Sequence, residues 1–467
     1  VTTQPDPAPR PPSGTGIVHF GPGAFHRAHQ ADYVDRLLRL DPRWGIAAVS
    51  LRSAGTIEAL KRQRGRYTLA ILDAEESYRP LAAHNRFLGP GESEGVRALL
   101  GDPAVRIVSS TVTEKGYCLG GDGRLDLARP DIVRDLADPA HPVSIVGWLA
   151  LGLGDRRAAG LPAFTTLCCD NMVANGRKLG AAIATYARRL DPTLADWIEG
   201  EAIFPDTMVD SITPATDDAL RTRVRGHGFE DDIPVSREAY AAWVIEDVLP
   251  EDAPDLAAAG AVLTHDVGAW EKAKLRILNG AHSTLAYLGL LIGHETTFDA
   301  IEDAALAAFV ERLIRRDIIP SLEPSPLDLD AYSRQIFARF HNPAIGHRLA
   351  QIAWDGSQKL PYRFVDPIED ALAAGRGIER LVVPIAAWFL FVERQARARI
   401  EIVDPLGPRL AEIGRSGDIV SAMLSLRQVF PERLAANPAF AEAIAGAVDR
   451  IQAAGPRAFL NGELSDA

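Results

Sequence analysis

Residues 16–40 read GIVHFGPGAFHRAHQADYVDRLLRL. "GIVHF" has the short apolar pattern of a buried strand, and it runs directly into a glycine turn and then a stretch of helical periodicity. A dinucleotide pyrophosphate binds at this order of elements. Gly21 makes the turn, and Gly23 lets phosphate approach the start of the helix, at Ala24, Phe25 and Arg27. His26 stands where the third glycine of the fingerprint belongs, so the pattern is G-x-G-x-x-H, and a Gly-Pro-Gly turn also serves as a plain structural loop.

Working outward, "WGIAAVSL" (44–51) is a second strand and "TIEALKRQR" (56–64) a short helix. "RYTLAIL" (66–72) and "VRIVSSTVT" (105–113) are further strands, and "SIVGWLALGLG" (144–154) is a buried helix before the strand "AFTTLCCD" (163–170). Strands that are apolar throughout, alternating with helices, predict a mostly parallel sheet covered on both faces. From about Gly268 the chain turns to Ala- and Leu-rich helical periodicity broken by Pro-containing loops. The expected organisation is an arm over 1–15, flexible and Pro-rich, a Rossmann-type α/β domain over 16–267, and a mainly α-helical domain over 268–467.

An NAD site of this type holds the adenosine ribose with an acid after the second strand. Between Val49 and Glu58 there is none; Arg52 and Ser53 stand there instead, positioned for a 2′-phosphate if Arg52 is not simply an exposed loop residue. NADP, or dual use, therefore stays open beside NAD.

With 467 residues, 47% hydrophobic and 24% charged, the chain can build two or three cores. The formal net charge of −12 and the lack of a basic stripe argue against a nucleic-acid partner. Three cysteines cannot form a disulfide framework and fit a reducing cytoplasm. The start carries no apolar segment of the export type, and the apolar runs are too short to span a bilayer, so a cytoplasmic protein without membrane attachment is expected.

The stretch "EKAKLRILNGAHS" (271–283) holds Lys274, Asn279 and His282. Removing hydride from an alcohol needs a proton acceptor and donors that polarise the oxygen, and these three residue types supply both. On an α-helix they fall within an arc of about 140°, together with Leu275 and Leu278, so a lysine lying along an apolar helix face is the plainer alternative. Asp170 and Asn171 end a strand, where ligands sit in open parallel sheets; Asn171 can donate to an alkoxide or cap the next helix. Thr113, Glu114 and Lys115 form a similar polar turn, suited to nicotinamide or ribose contact. No Tyr is followed by Lys four residues on, and no Cys/His group has zinc-site spacing, which leaves metal-free alcohol chemistry.

Taken together, "IVHFGPGAFHRAHQADY", "TVTEKGYC", "CCDNMVANG", "FPDTMVDSITPAT", "WVIED", "KLRILNGAHSTLAYLG" and "DGSQKLPYRFVDPI" resemble the long-chain, metal-independent polyol dehydrogenases of the mannitol 2-dehydrogenase family, and are in that family's order. "TVTEKGYC" and "DGSQKLP" look most like its D-mannonate oxidoreductase (fructuronate reductase) branch. The resemblance implies Lys274 as general base, Asn171 and Asn279 as oxyanion donors, His282 orienting substrate hydroxyls, and Glu271 passing the lysine proton to solvent. It implies Asp210 and Lys359 as lining of the sugar site, with Arg348 as a weaker candidate, and an active site between the two domains. The family itself carries His at the position of His26, and its acid after the second strand aligns near Gly55. The implied activity is interconversion of D-fructuronate and D-mannonate. A mannitol or arabinitol-type polyol dehydrogenase is the alternative, and the intact Lys/Asn/His/Asn set argues against a non-catalytic nucleotide-binding protein.

Overall fold

The structure, a computed structural model, describes residues 10–73 and 75–465. Residues 1–9 of the expected arm lie outside the described residues, and Thr15 already belongs to a strand. The chain divides into two compact units, Val1–Gly268 and Ala269–Ala467.

The strands of the first unit are β1 (Thr15–Phe20), β2 (Gly45–Val49), β3 (Tyr67–Leu72), β4 (Ser77–Leu81), β5 (His84–Leu88), β6 (Ile107–Ser110), β7 (Thr165–Cys168), β8 (Thr207–Asp210), β9 (Val235–Glu238), β10 (Ala242–Glu246) and β11 (Val262–Thr264). Five of them form a parallel sheet in the order β5-β2-β1-β6-β7. Successive side chains point to opposite faces. Val18, Phe20, Ala47, Val49 and Val108 enter one core with the helix Ile145–Ala158, and Ile17, Ile46, Ala48 and Ile107 enter the other with the helix Gln30–Leu37. A large side chain buried in this way, such as Phe20 or Ile46, contributes about 2 kcal/mol, so burial on both faces is what selects the largely apolar central strands.

One strand assignment needs correcting. "RYTLAIL" is a strand but not part of the parallel sheet: β3 pairs antiparallel with β4 and parallel with β9 in a separate three-stranded sheet. The edge of the parallel sheet is instead β5, "HNRFL", whose half-exposed polar residues conceal it from an apolar-run reading. A third sheet joins β8, β10 and β11.

The chain leaves β1 for β2 on one side and returns to β6 on the other. The carboxyl ends of β1 and β6 therefore flank the topological switch point at which open α/β sheets bind ligands. Gly21 follows β1 and Thr111–Lys115 follow β6.

The second unit is helical around a single large core that includes Trp388, Phe389 and Tyr287. Pro384 falls in the first turn of the helix Val383–Ala398, where its missing N–H costs nothing. Among the described residues π-helical turns occur at Lys274–Leu278, Leu313–Ile318 and Pro361–Val365. Such turns are rare and concentrate at functional sites. The first lies inside a continuous helix running from Val267 to Ile292. No helix among the described residues is long and apolar enough to cross a membrane.

Candidate functional site

In the first unit Gly21 has φ +89°, and a Cβ there would sit 2.2 Å from the carbonyl oxygen of Thr111, so the protein itself demands glycine. Its own carbonyl accepts from the Thr111 hydroxyl at 2.7 Å. Gly23 is different. Its backbone is extended, and a Cβ would meet no protein atom closer than 3.9 Å. Packing within the protein does not require glycine at this position, and the turn is left open to a ligand. No side chain caps the helix Ala24–Ala28 that follows. The turn therefore fits a dinucleotide pyrophosphate, which Gly21, Gly23 and the backbone of Ala24 and Phe25 would hold.

His26, in place of the third glycine, points into the sheet. Its ring stacks on His19 of β1 with centroids 3.4 Å apart, and its Nε2 lies 2.9 Å from Nε2 of His84. His19 Nδ1 is paired with Ser109 Oγ at 2.8 Å and its Nε2 with Thr111 Oγ1 at 2.9 Å. A third glycine would let helix and strand approach closely; here an aromatic stack fills that space. Burial lowers His19 and His84 to about 3 and holds His26 well below its ordinary range. Arg27 is also turned inward. It donates to the carbonyls of Pro22 and Ile233 and lies over the Tyr67 ring, so it supports the turn from behind.

At the ends of β6 and β7, Thr113, Glu114, Lys115 and Asn171 are exposed. Thr113 has φ +68°, a conformation costing a non-glycine residue about 1–3 kcal/mol. It is held by Asp170, whose carboxylate accepts from Val112 N at 2.9 Å, Thr113 N at 3.3 Å and the Tyr117 hydroxyl at 2.6 Å. Burial and the charge of Asp170 raise the Glu114 carboxyl. Asn171 is not a helix cap. The next helix starts at Asn175 behind Ala174, and the buried Asn175 amide ties Cys168 O to Thr207 O. Arg52 follows β2 as an exposed residue, ion-paired with Asp131 at 2.8 Å. Asp210 is buried at the end of β8.

In the second unit Glu271, Lys274, Asn279 and His282 lie on the helix Val267–Ile292. The α-helical arc drawn from their spacing is corrected by the π turn: the Asn279 N–H donates to the carbonyl of Lys274 five residues back, as well as to Leu275. Lys274 and Asn279, about 140° apart on an α-helix, are thereby brought toward one face. Both are half-buried, and His282 is buried.

His282 packs 4.7 Å from the Phe340 ring and 5.6 Å from the His347 ring, and its Nε2 has no hydrogen-bond partner among the described residues. Burial, and then His347, Arg339, Arg363 and Lys359, hold it well below its ordinary pKa, so it is neutral. Lys359 donates to Trp354 O at 2.6 Å, and burial with the neighbouring Arg363 charge lowers it to about 8. Arg363 Nη1 donates to Asn279 O at 3.1 Å and Ser283 Oγ at 2.7 Å. Arg348 is exposed at the start of the short helix Leu349–Ile352, directly after His347. Arg363 and His347 were missed from sequence. The signal for Arg363 was its place four residues after Lys359 in "KLPYR", one helical turn on.

The family model described as the mannitol dehydrogenase Rossmann domain matches residues 15–258, and that of the mannitol dehydrogenase C-terminal domain residues 266–452. The chain is 39% identical to D-mannonate oxidoreductase of Escherichia coli (strain K12), with 94% of each chain covered. It is 36% identical to mannitol 2-dehydrogenase of Cereibacter sphaeroides, with 95% of each covered. Its fold matches that of Pseudomonas fluorescens mannitol 2-dehydrogenase in a ternary complex with NAD and D-mannitol, with a TM-score of 0.82 at 32% identity over 97% of this chain and 95% of that one.

Proposed function

Because the chain belongs to the mannitol dehydrogenase family, we propose that it interconverts D-fructuronate and D-mannonate, with Lys274 as general acid and base. The observation that carries this reading is the π turn that sets Lys274 and Asn279 in hydrogen-bonded register beside the buried His282. The similarity to a D-mannonate oxidoreductase supports the choice of a sugar acid.

A bound nicotinamide nucleotide supplies the hydride acceptor for oxidation and the donor for reduction. Gly21, Gly23, Ala24, Phe25, Thr113, Glu114 and Lys115 are the residues to hold it, with Arg27 bracing the turn. In oxidation neutral Lys274 takes the hydroxyl proton as hydride leaves the same carbon; in reduction its ammonium returns a proton to the oxygen. The amide N–H groups of Asn279 and Asn171 hold the oxygen as it gains negative charge, a role in which one donor is worth about 3 kcal/mol. Neutral His282 offers Nε2 to a substrate hydroxyl, Asp210 and Lys359 bind further substrate groups, and Glu271 exchanges the lysine proton with water.

The test is an initial-rate assay near neutral pH with D-fructuronate and with D-fructose, each with NADH and with NADPH. Preference for D-fructuronate is expected. Preference for D-fructose would move the enzyme to the neutral-polyol branch with the Lys274 chemistry intact. The two cofactors are compared because Arg52, engaged by Asp131, is the cation on offer to a 2′-phosphate.

A further inference from the structure

We propose that Arg363 recognises the substrate carboxylate, with Lys359 beside it, and so decides between sugar acids and neutral polyols at this site. The inference rests on the sugar-acid reading above and names the residue that enforces it.

The first argument is position. Arg363 lies on the π turn Pro361–Val365, which packs against the π turn carrying Lys274 and against the helix that follows it. Two hydrogen bonds from Nη1, to Asn279 O and Ser283 Oγ, fix the guanidinium next to the proposed oxyanion donor. Asn279 and Ser283 are four residues apart, so one guanidinium nitrogen bridges a full turn of the helix.

The second argument is the unspent edge of the fork. Nε and Nη2 make no hydrogen bond or ion pair among the described residues. That edge offers two parallel N–H groups, which a carboxylate accepts in bidentate fashion.

The third argument is charge. Neither Arg363 nor Lys359 has a carboxylate within ion-pair distance among the described residues. Asp355 and Asp404 act on Lys359 from beyond that distance, and the Arg363 charge opposes them; two like charges one helical turn apart repel one another, and a half-buried cation without a paired anion is costly. Arg339 and His347 also face His282, so basic groups surround this histidine. An arrangement that is unfavourable in the free protein becomes favourable when the ligand brings the negative charge. A neutral polyol brings none.

The test compares wild type, Arg363→Gln, Arg363→Lys and Lys274→Ala in steady state with D-fructuronate, and by thermal melting with NADH and with D-mannonate. A charge-assisted pair is worth about 10- to 150-fold, so Arg363→Gln is expected to raise KM for D-fructuronate about 100-fold while kcat changes only a few-fold. Arg363→Lys recovers part of that loss. D-Mannonate raises the melting temperature of wild type but not of Arg363→Gln, whereas NADH raises both and shows the variant to be folded. An unchanged KM, or a loss confined to kcat, overturns the assignment and leaves Arg363 as a structural support of Asn279. Failure of the underlying reading looks different: wild type then prefers D-fructose, or Lys274→Ala keeps its turnover.

Discussion

The backbone N–H of Asn279 donates to the carbonyl oxygen of Lys274 across a π turn. The proposed base and the proposed oxyanion donor therefore share one covalent scaffold, and their spacing does not depend on loop packing. A π turn is a local insertion into an α-helix, with hydrogen bonds reaching five residues back. Arg363, holding the carbonyl of Asn279 and the hydroxyl of Ser283, reinforces the helix where the α-helical ladder resumes.

Replacing Lys274 with alanine is expected to lower kcat about 10³-fold, the scale of a lost general acid or base. Asn279→Ala should cost about 10²- to 10³-fold, the scale of one lost oxyanion donor. Single-turnover rates check both. Titration by NADH fluorescence should show nearly unchanged affinity, and substantial turnover by Lys274→Ala would refute its role.

The two glycines of the turn are expected to fail in different ways. In Gly21→Ala the new methyl collides with Thr111 O and the residue is forced to φ +89°, so the melting temperature should drop along with nucleotide binding. In Gly23→Ala the methyl meets no protein atom closer than 3.9 Å, so the melting temperature should hold within a degree or two, by roughly neutral surface substitution, while NADH binding weakens. Calorimetry and NADH titration on both variants separate the outcomes. A Gly23→Ala protein that binds NADH as tightly as wild type would remove the turn from the cofactor site.

Acid should unfold the nucleotide-binding unit early. His19 and His84 are lowered from 6.5 to about 3 and His26 is held well below its ordinary value, each chiefly by burial, with Arg27 and the neighbouring histidines adding repulsion. The unfolded chain binds protons below pH 6.5 that the folded chain refuses. Stability is thus unaffected above that value and falls as pH drops toward 3, by about 1.4 kcal/mol per unit for each histidine. Urea melts at pH 7, 6 and 5 should show a steep decline. A flat profile over that range would mean that the stack accepts protons while folded.

Much of this was legible in the sequence because the parallel strands are buried on both faces and read as apolar runs, and because the glycine turn is set directly against β1. β5 was not, since an edge strand with half-buried Asn85 and exposed Arg86 lacks that signature. β3 read correctly as a strand, but apolar content does not say which sheet it joins. Lys274, Asn279 and His282 are visible as residue types at close spacing on one helix, but the angle between them is set by a π turn that nothing in "KLRIL" announces. Arg363 is legible only as a basic residue four after Lys359; that it has no carboxylate within ion-pair distance among the described residues is a property of three-dimensional neighbours.

Lys359 predicts opposite pH trends for activity and stability. Burial and the Arg363 charge, against the opposing pull of Asp355 and Asp404, lower it from 10.5 to about 8, so as pH rises past 8 its ammonium is lost and the substrate carboxylate loses one of its two cations. KM for D-fructuronate should climb between pH 7.5 and 9.5. The Lys274 proton serves any ketose, so its titration would affect D-fructuronate and D-fructose alike; an effect confined to D-fructuronate belongs to Lys359. Between about 8 and 10.5 the unfolded chain holds a proton that the folded chain has released, so the Lys359 contribution to stability becomes more favourable with rising pH. Lys359→Met should flatten both trends, in KM measured by initial rates and in the melting temperature. If KM for D-fructuronate still climbs in this variant as it does in wild type, the carboxylate does not depend on Lys359.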